Sequence, residues 1–341
     1  MITKKRPATR ADVAREAGTS VAVVSYVVND GPRPVAMATR RRVLDAIEAV
    51  GYSPNSIARA LASGVSGAYG LIVPDISNAF FAAMAHKLED AVAALGTVLL
   101  LGDSAESKDR ENELVRQFVQ RNIDGILYIG VDDDPCVQIA LDASVPVVML
   151  DRVDRAKPVS SIAIDNVAAA RAATEHLIGH GHTRIGIIAG PPQLSTADDR
   201  TTGWRQAMES AGLPIDRAWR YEAPFSRRGG ESAASAIFER GHRPDALFAS
   251  NEQQALGLVH AAAVRGIRIP DDLAVITIDG TDDSEFANPA LSTVVQPLEE
   301  TAKSAFDLLT QPSGTAVHRT CTYTLRLRQS CGAHHSRKET R

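Results

Sequence analysis

The chain has 341 residues, more than the roughly 100–200 of one domain, so two or three domains are expected. It is 44% hydrophobic and 23% charged, which excludes a mostly disordered chain, a collagen-like repeat and a small disulfide scaffold. Its net charge of −4 argues weakly against nucleic acid, but the charge is unevenly spread. Residues 1–66 hold ten Lys/Arg against five Asp/Glu, leaving 27 against 36 for the rest. A basic head on an acidic body fits a head that meets phosphates; charge alone fits a solvated basic surface equally well.

No run of about 18 apolar residues is present to cross a membrane. The basic start Lys4-Lys5-Arg6 lacks the apolar stretch of an export signal, so a cytoplasmic protein is expected. Cys136, Cys321 and Cys331 are too few and too scattered for a zinc site or a disulfide framework.

In chain order, Thr9 can cap a first helix, with Asp12 at the capping-box position and Gly18 as its stop. Ser20 can cap a second helix, Val21 to Asn29. Gly31-Pro32-Arg33-Pro34 reads as a loop. A third helix, about Thr39 to Val50, turns Val43, Leu44, Ile47 and Val50 inward. Asn55 to Ala62 is helical in pattern but too short to stand alone in water, and Ser63 to Gly67 reads as a link.

From Ala68 short apolar runs alternate with helical stretches: 71–73, 98–101, 125–129 and 145–150, then again 185–189, near 220, 246–249 and 273–278. Such alternation predicts parallel sheets flanked by helices, in two α/β lobes split near 160–165. Asp132-Asp133-Asp134-Pro135 reads as a solvated loop capping a helix, and the tail after Cys331 as frayed.

Enzyme signatures are missing: no GxxxxGKS/T, HExxH, GxSxG or strand-following GxGxxG occurs. No catalytic residue and no cofactor are therefore expected. His176 and His180 stand four apart on a helix, yet a metal site is not the reading favoured. The two short helices around Gly18-Thr19-Ser20 form a helix-turn-helix candidate, for which an ordinary helical hairpin is the alternative.

The phrases TRADVAREAGTSVAVVSYVVND and TRRRVLDAIEAVGYSPNSIARALASG resemble the DNA-binding head of the LacI/GalR family of bacterial transcription regulators. YGLIVPDISNAFFAAMA, VVMLDR, HLIGHGHTRIGIIAGP, FASNEQQALG and LSTVVQP are similar to that family's core, in its order, over roughly residues 8–331. The resemblance implies an all-α helix-turn-helix head (1–52), a hinge helix and linker (53–66) and an α/β, two-lobed, periplasmic-binding-protein-like core with parallel sheets. One lobe would hold 67–163 with 294–322, the other 164–293 with 323–331, followed by a tail at 332–341.

By resemblance, base-reading positions fall on Val21, Ala22 and Tyr26 of a recognition helix. Many members carry an Arg where Tyr26 stands. Arg can take guanine bidentately, whereas Val21 and Ala22 offer methyl contacts, so a different half-site is expected. Ser20, Ser25 and Asn29 would touch phosphate or cap. Asn55, Ala58 and Leu61 fall on the hinge helix, with Leu61 as a wedge in the minor groove.

In the core the resemblance places Asn78, Asp151, Arg200, Asn251, Asp279 and Gln296 in a crevice between the lobes, with Phe80, Phe81 and Phe225 against a ring face. That mixture suits a hydroxyl-rich effector such as a sugar. The family's Asn-Asp is here Asn251-Glu252 and its Asp-Asp is Asp279-Gly280, so sugars, nucleosides and purines stay open. The implied protein is a homodimeric, effector-controlled regulator, usually a repressor, on a pseudo-palindromic double-stranded operator. A solute-binding protein and a nucleotide-dependent enzyme are the alternatives; the basic head and the missing phosphate loops oppose them.

Overall fold

A computed structural model describes residues 6, 8–29, 33–53, 65–153, 157–192, 194–239, 243–311 and 314–332. The chain divides into two compact units, residues 1–66 and 67–341.

The head holds α1 (Arg10–Glu16), α2 (Val21–Val28) and α3 (Met37–Val50). Thr9 opens α1 with a reciprocal capping box to Asp12, and Gly18 turns the chain at φ +59°. Ser20 caps α2 by accepting from the Val23 amide at 3.3 Å. Val13, Ala14, Val24, Val27, Val43 and Ala46 close the core between the helices, with Tyr52 beneath, its hydroxyl accepting from Arg10 Nε at 3.2 Å. Leu44 departs from expectation: it is half exposed, and Ala46 takes the inward place. A long helix turns one stripe inward, and here that stripe runs through Val43, Ala46, Ile47 and Val50.

The second unit contains two six-stranded sheets. The first uses β1 (Ala68–Val73), β2 (Val98–Asp103), β3 (Gly125–Tyr128), β4 (Val147–Leu150), β5 (Ser160–Ile164) and β11 (His318–Cys321). Its order is β11-β5-β4-β3-β1-β2, all parallel. The second uses β6 (Ile185–Ala189), β7 (Arg220–Glu222), β8 (Ala246–Ala249), β9 (Ala274–Asp279), β10 (Ser292–Val295) and β12 (Thr324–Arg326). It runs β12-β10-β9-β8-β6-β7, parallel except for antiparallel β12. The buried strands are near-continuous apolar runs, as expected where both faces are covered.

The covering helices are α4 (Ala79–Ala93), α5 (Lys108–Gln120), α6 (Gln138–Asp142), α7 (Asn166–Gly179), α8 (Ser195–Ser210), α9 (Arg227–Phe238), α10 (Glu252–Val264), α11 (Asp282–Phe286) and α12 (Leu298–Thr310). Each sheet reverses its winding beside its first strand, β1 or β6. In open α/β sheets ligands bind at such a switch point, beyond the carboxyl ends of the strands. The chain passes between the sheets three times: from β5 into α7, after β10 and after β11.

Candidate functional site

In the head, α2 has two faces. Val24 and Val27 are buried, while Val21, Ala22 and Asn29 are exposed. Ser25 and Tyr26 are half-buried on the outward side, and Asn29 Nδ2 donates to Ser25 Oγ at 3.2 Å. The Arg33 guanidinium lies 6.0 Å from the Tyr26 ring centre. Ser20, Val21, Ala22, Ser25, Tyr26 and Asn29 thus follow helical spacing along one side of α2. Such a stripe beside a guanidinium can enter a major groove and touch base edges with methyl and hydroxyl groups. Asn55, Ala58 and Leu61 lie outside the described residues.

In the core, Asn78, Phe80, Phe81 and Asp151 face Arg200, Phe225, Asn251 and Asp279 around one small cavity between the two sheets. Its volume is about 20 Å³, room for about one water. Gln296 does not line it; its Nε2 donates to Asp279 Oδ1 at 3.0 Å from behind. Two residues not anticipated, Arg152 and Thr196, complete the wall. Arg152 ends the VVMLDR phrase, directly after Asp151.

Strand ends and helix starts supply these groups. Asn78 caps α4 by accepting from the Phe80 amide at 3.0 Å, and Asn251 caps α10 by accepting from the Gln254 amide at 2.9 Å. Asp151 and Asp279 follow or end β4 and β9 at φ +59° and +124°. Positive φ is costly for a residue with a side chain and gathers at functional sites. Arg200 rises from α8; its Nε donates to Asn166 Oδ1 at 2.8 Å and its Nη1 to the Ser250 carbonyl at 2.7 Å. Arg152 Nη1 donates to the carbonyls of Gly130 and Val131 at 3.1 and 3.0 Å. The two guanidiniums lie 5.8 Å from the Phe225 ring centre and 5.7 Å from that of Phe81. Gly190 makes room for Phe225: a Cβ there would fall 2.2 Å from the ring.

Burial pushes the Asp279 carboxyl up to about 7, against the pull of nearby Arg200. Burial also lifts Glu252, whose carboxylate takes the hydroxyls of Ser284 and Thr281. Burial pulls the Arg152 guanidinium below its usual range, while Asp151 and Glu106 oppose that pull.

A second, larger cavity of about 470 Å³ shares Asp151 and Thr196 with the first and is lined further by Asp165, Asn166, Ser195 and Asp199. That volume lies within the range of small-molecule sites. The Asp132–Asp134 loop caps a helix and holds an ion pair. Asp132 pairs with Lys108 at 2.5 Å, and Asp133 takes two hydrogen bonds from Ser195 at the start of α8. His176 Nε2 sits 3.2 Å from Cys331 Sγ. Among the described residues no group of three His, Cys, Asp or Glu is arranged to hold a metal, and no helix is long and apolar enough to cross a membrane.

A helix-turn-helix unit carried with a two-sheet, ligand-sized cleft defines a DNA-binding transcription regulator rather than an enzyme. Residues 9–55 match the bacterial regulatory proteins of the lacI family, and residues 174–331 match a periplasmic binding protein-like domain. Catabolite control protein A of Priestia megaterium is 34% identical over 302 residues, covering 88% of this chain and 91% of that protein. A lac repressor dimer, solved bound to operator and the anti-inducer ONPF, is similar with TM-score 0.84 at 25% identity, over 96% of this chain and 99% of that one. The transcriptional regulator CelR, solved with cellobiose, is similar with TM-score 0.70 at 29% identity, over 95% and 100%. The chain belongs to the lacI family of bacterial regulatory proteins.

Proposed function

We propose that this regulator is a cytoplasmic, homodimeric repressor of transport or catabolic genes, released from or held on its operator by a small effector. The effector, a sugar or sugar derivative, binds in the crevice between the lobes against Asn78, Asp151, Arg200, Asn251 and Asp279. The observation that carries this reading is the convergence of those side chains, from strand ends and helices of both lobes, on one small cavity beside a ligand-sized one. Two similar proteins were solved with a ligand, cellobiose in one and ONPF in the other, and the second is a dimer on its operator. The cavity about Arg200 is too small for a sugar, so entry requires the lobes to part.

On DNA, Val21, Ala22 and Tyr26 read bases, while Ser20, Ser25 and Asn29 position the helix on phosphates. The segment 53–66 acts as the hinge: Asn55, Ala58 and Leu61 meet the minor groove at the operator centre. A two-fold dimer requires a pseudo-palindromic site. The test is selection of sheared genomic DNA by the purified chain at physiological salt, followed by sequencing. A sharp pseudo-palindrome whose affinity changes with a cleft ligand is expected. Diffuse, salt-sensitive enrichment, unaltered by any sugar or by Leu61→Ala, counts against the reading.

A further inference from the structure

The polar atoms left over in the small cavity are mostly of one kind. A guanidinium has five N–H donors. Arg152 commits two of them, to Gly130 and Val131, and Arg200 commits two, to Asn166 and Ser250. The rest of each fork makes no other hydrogen bond among the described residues. Both asparagines spend their side-chain oxygens on helix caps, which leaves the Nδ2 amides of Asn78 and Asn251. On the acceptor side, each Asp279 oxygen already takes a hydrogen bond, one from Gln296 and one from the Glu252 amide. The Asp151 carboxylate is the main acceptor remaining in the wall.

Arg152 and Arg200 are 6% and 3% exposed, and both line the small cavity. A neutral hydroxyl brings a donor with every acceptor and mends this excess poorly. A carboxylate or phosphate brings acceptors alone and fits the planar fork of a guanidinium. We infer that the effector carries an anionic group, carboxylate or phosphate, seated between Arg152 and Arg200. The hydroxylated remainder extends toward Asp151, Thr196 and the larger cavity. This rests on the reading of the cleft as the effector site and narrows the ligand to an acidic or phosphorylated polyol.

The test is thermal unfolding and calorimetry of the full chain at matched ionic strength. Sodium phosphate is compared with sodium chloride, then D-gluconate and D-glucose 6-phosphate with D-glucose. Phosphate is expected to raise the melting temperature above chloride. One of the two anionic sugars is expected to bind at least about tenfold more tightly than D-glucose, a difference of about 1.4 kcal/mol; which one does so tells carboxylate from phosphate. The basic head also attracts phosphate, so the decisive readout is the difference between wild type and Arg152→Met. That substitution should remove the phosphate-specific shift and the preference for the anion. Arg152→Lys, which keeps one charge without the fork, should leave a reduced shift and covers the case in which the methionine variant fails to fold. The inference is overturned if phosphate and chloride act alike on the wild type, if both Arg152 variants keep the full shift, or if D-glucose binds as tightly as both anions. Tight D-glucose binding that alters DNA affinity would sink the anion while leaving the cleft as the effector site. Ligand binding that leaves DNA affinity unmoved would sink the broader reading instead.

Discussion

The carboxylate of Asp133, on the loop that follows β3, caps the first residue of α8 in the opposite lobe: it accepts from the Ser195 amide at 2.7 Å and from Ser195 Oγ at 3.0 Å. The residue before α8, Leu194, offers no side-chain cap of its own. The helix that carries Arg200 therefore borrows its cap from across the cleft. Asp133→Ala should cost about 1 kcal/mol, the usual worth of a cap, and charge it to the closed form. Small-angle scattering on the full chain should then show parted lobes without ligand. An unchanged scattering profile together with an unchanged melting temperature would dismiss the latch.

Asp279 gives stability a pH dependence of defined sign. Its folded pKa, about 7, lies above the ordinary 3.8, so unfolding releases its proton between those values. Its contribution is present below about pH 4 and is lost as the pH rises through 7. Between pH 5 and 8 the loss amounts to roughly 2–3 kcal/mol, from about 1.4 kcal/mol per pKa unit. Asp279→Asn should flatten that slope in urea titrations at the two pH values. Equal slopes for variant and wild type would mean that the carboxyl ionises as it does in water.

Close helix packing in the second lobe depends on Gly203. A Cβ there would stand 2.2 Å from the Val167 carbonyl oxygen and 2.9 Å from Ala170 Cβ, so α7 and α8 would have to separate. Gly203→Ala is expected to destabilise by about 1–3 kcal/mol or more, as overpacking does, despite its gain in helix propensity. A melting temperature equal to or above wild type would contradict this.

The head offers a milder perturbation. Thr9 and Asp12 satisfy each other's exposed backbone groups at the start of α1. Thr9→Ala should cost about 1 kcal/mol locally. Amide exchange in the intact chain should speed up in α1 and hardly change in β8 or β9. Uniform acceleration throughout would show that α1 does not open independently.

Much of this architecture is legible in the sequence because buried parallel strands print as apolar runs and helix starts print as Thr9 and Ser20. The cavity wall is less legible. The resemblance points to Asp151 and not to Arg152 beside it, and local pattern does not tell on which side of a strand end a long side chain folds back. Asp133 resembled its neighbours Asp132 and Asp134; only the fold brings it to Ser195, 62 positions away. Leu44 misled for a simpler reason: adjacent Val43 and Leu44 are both apolar, and only one can face the core.

The three passages of the chain between the sheets bear on how the protein is made. The first sheet takes its edge strand from residues 318–321 and the second from residues 324–326, after all the other strands of both sheets. Ser330 then ties the final stretch down, donating to the Val275 carbonyl at 2.7 Å and accepting from the Ser292 amide at 2.8 Å. Neither lobe can be finished during synthesis while the other waits. A premature stop anywhere before residue 318 strips an edge from both sheets at once, so truncated products should be cleared by proteases as a whole rather than persist as half a receptor.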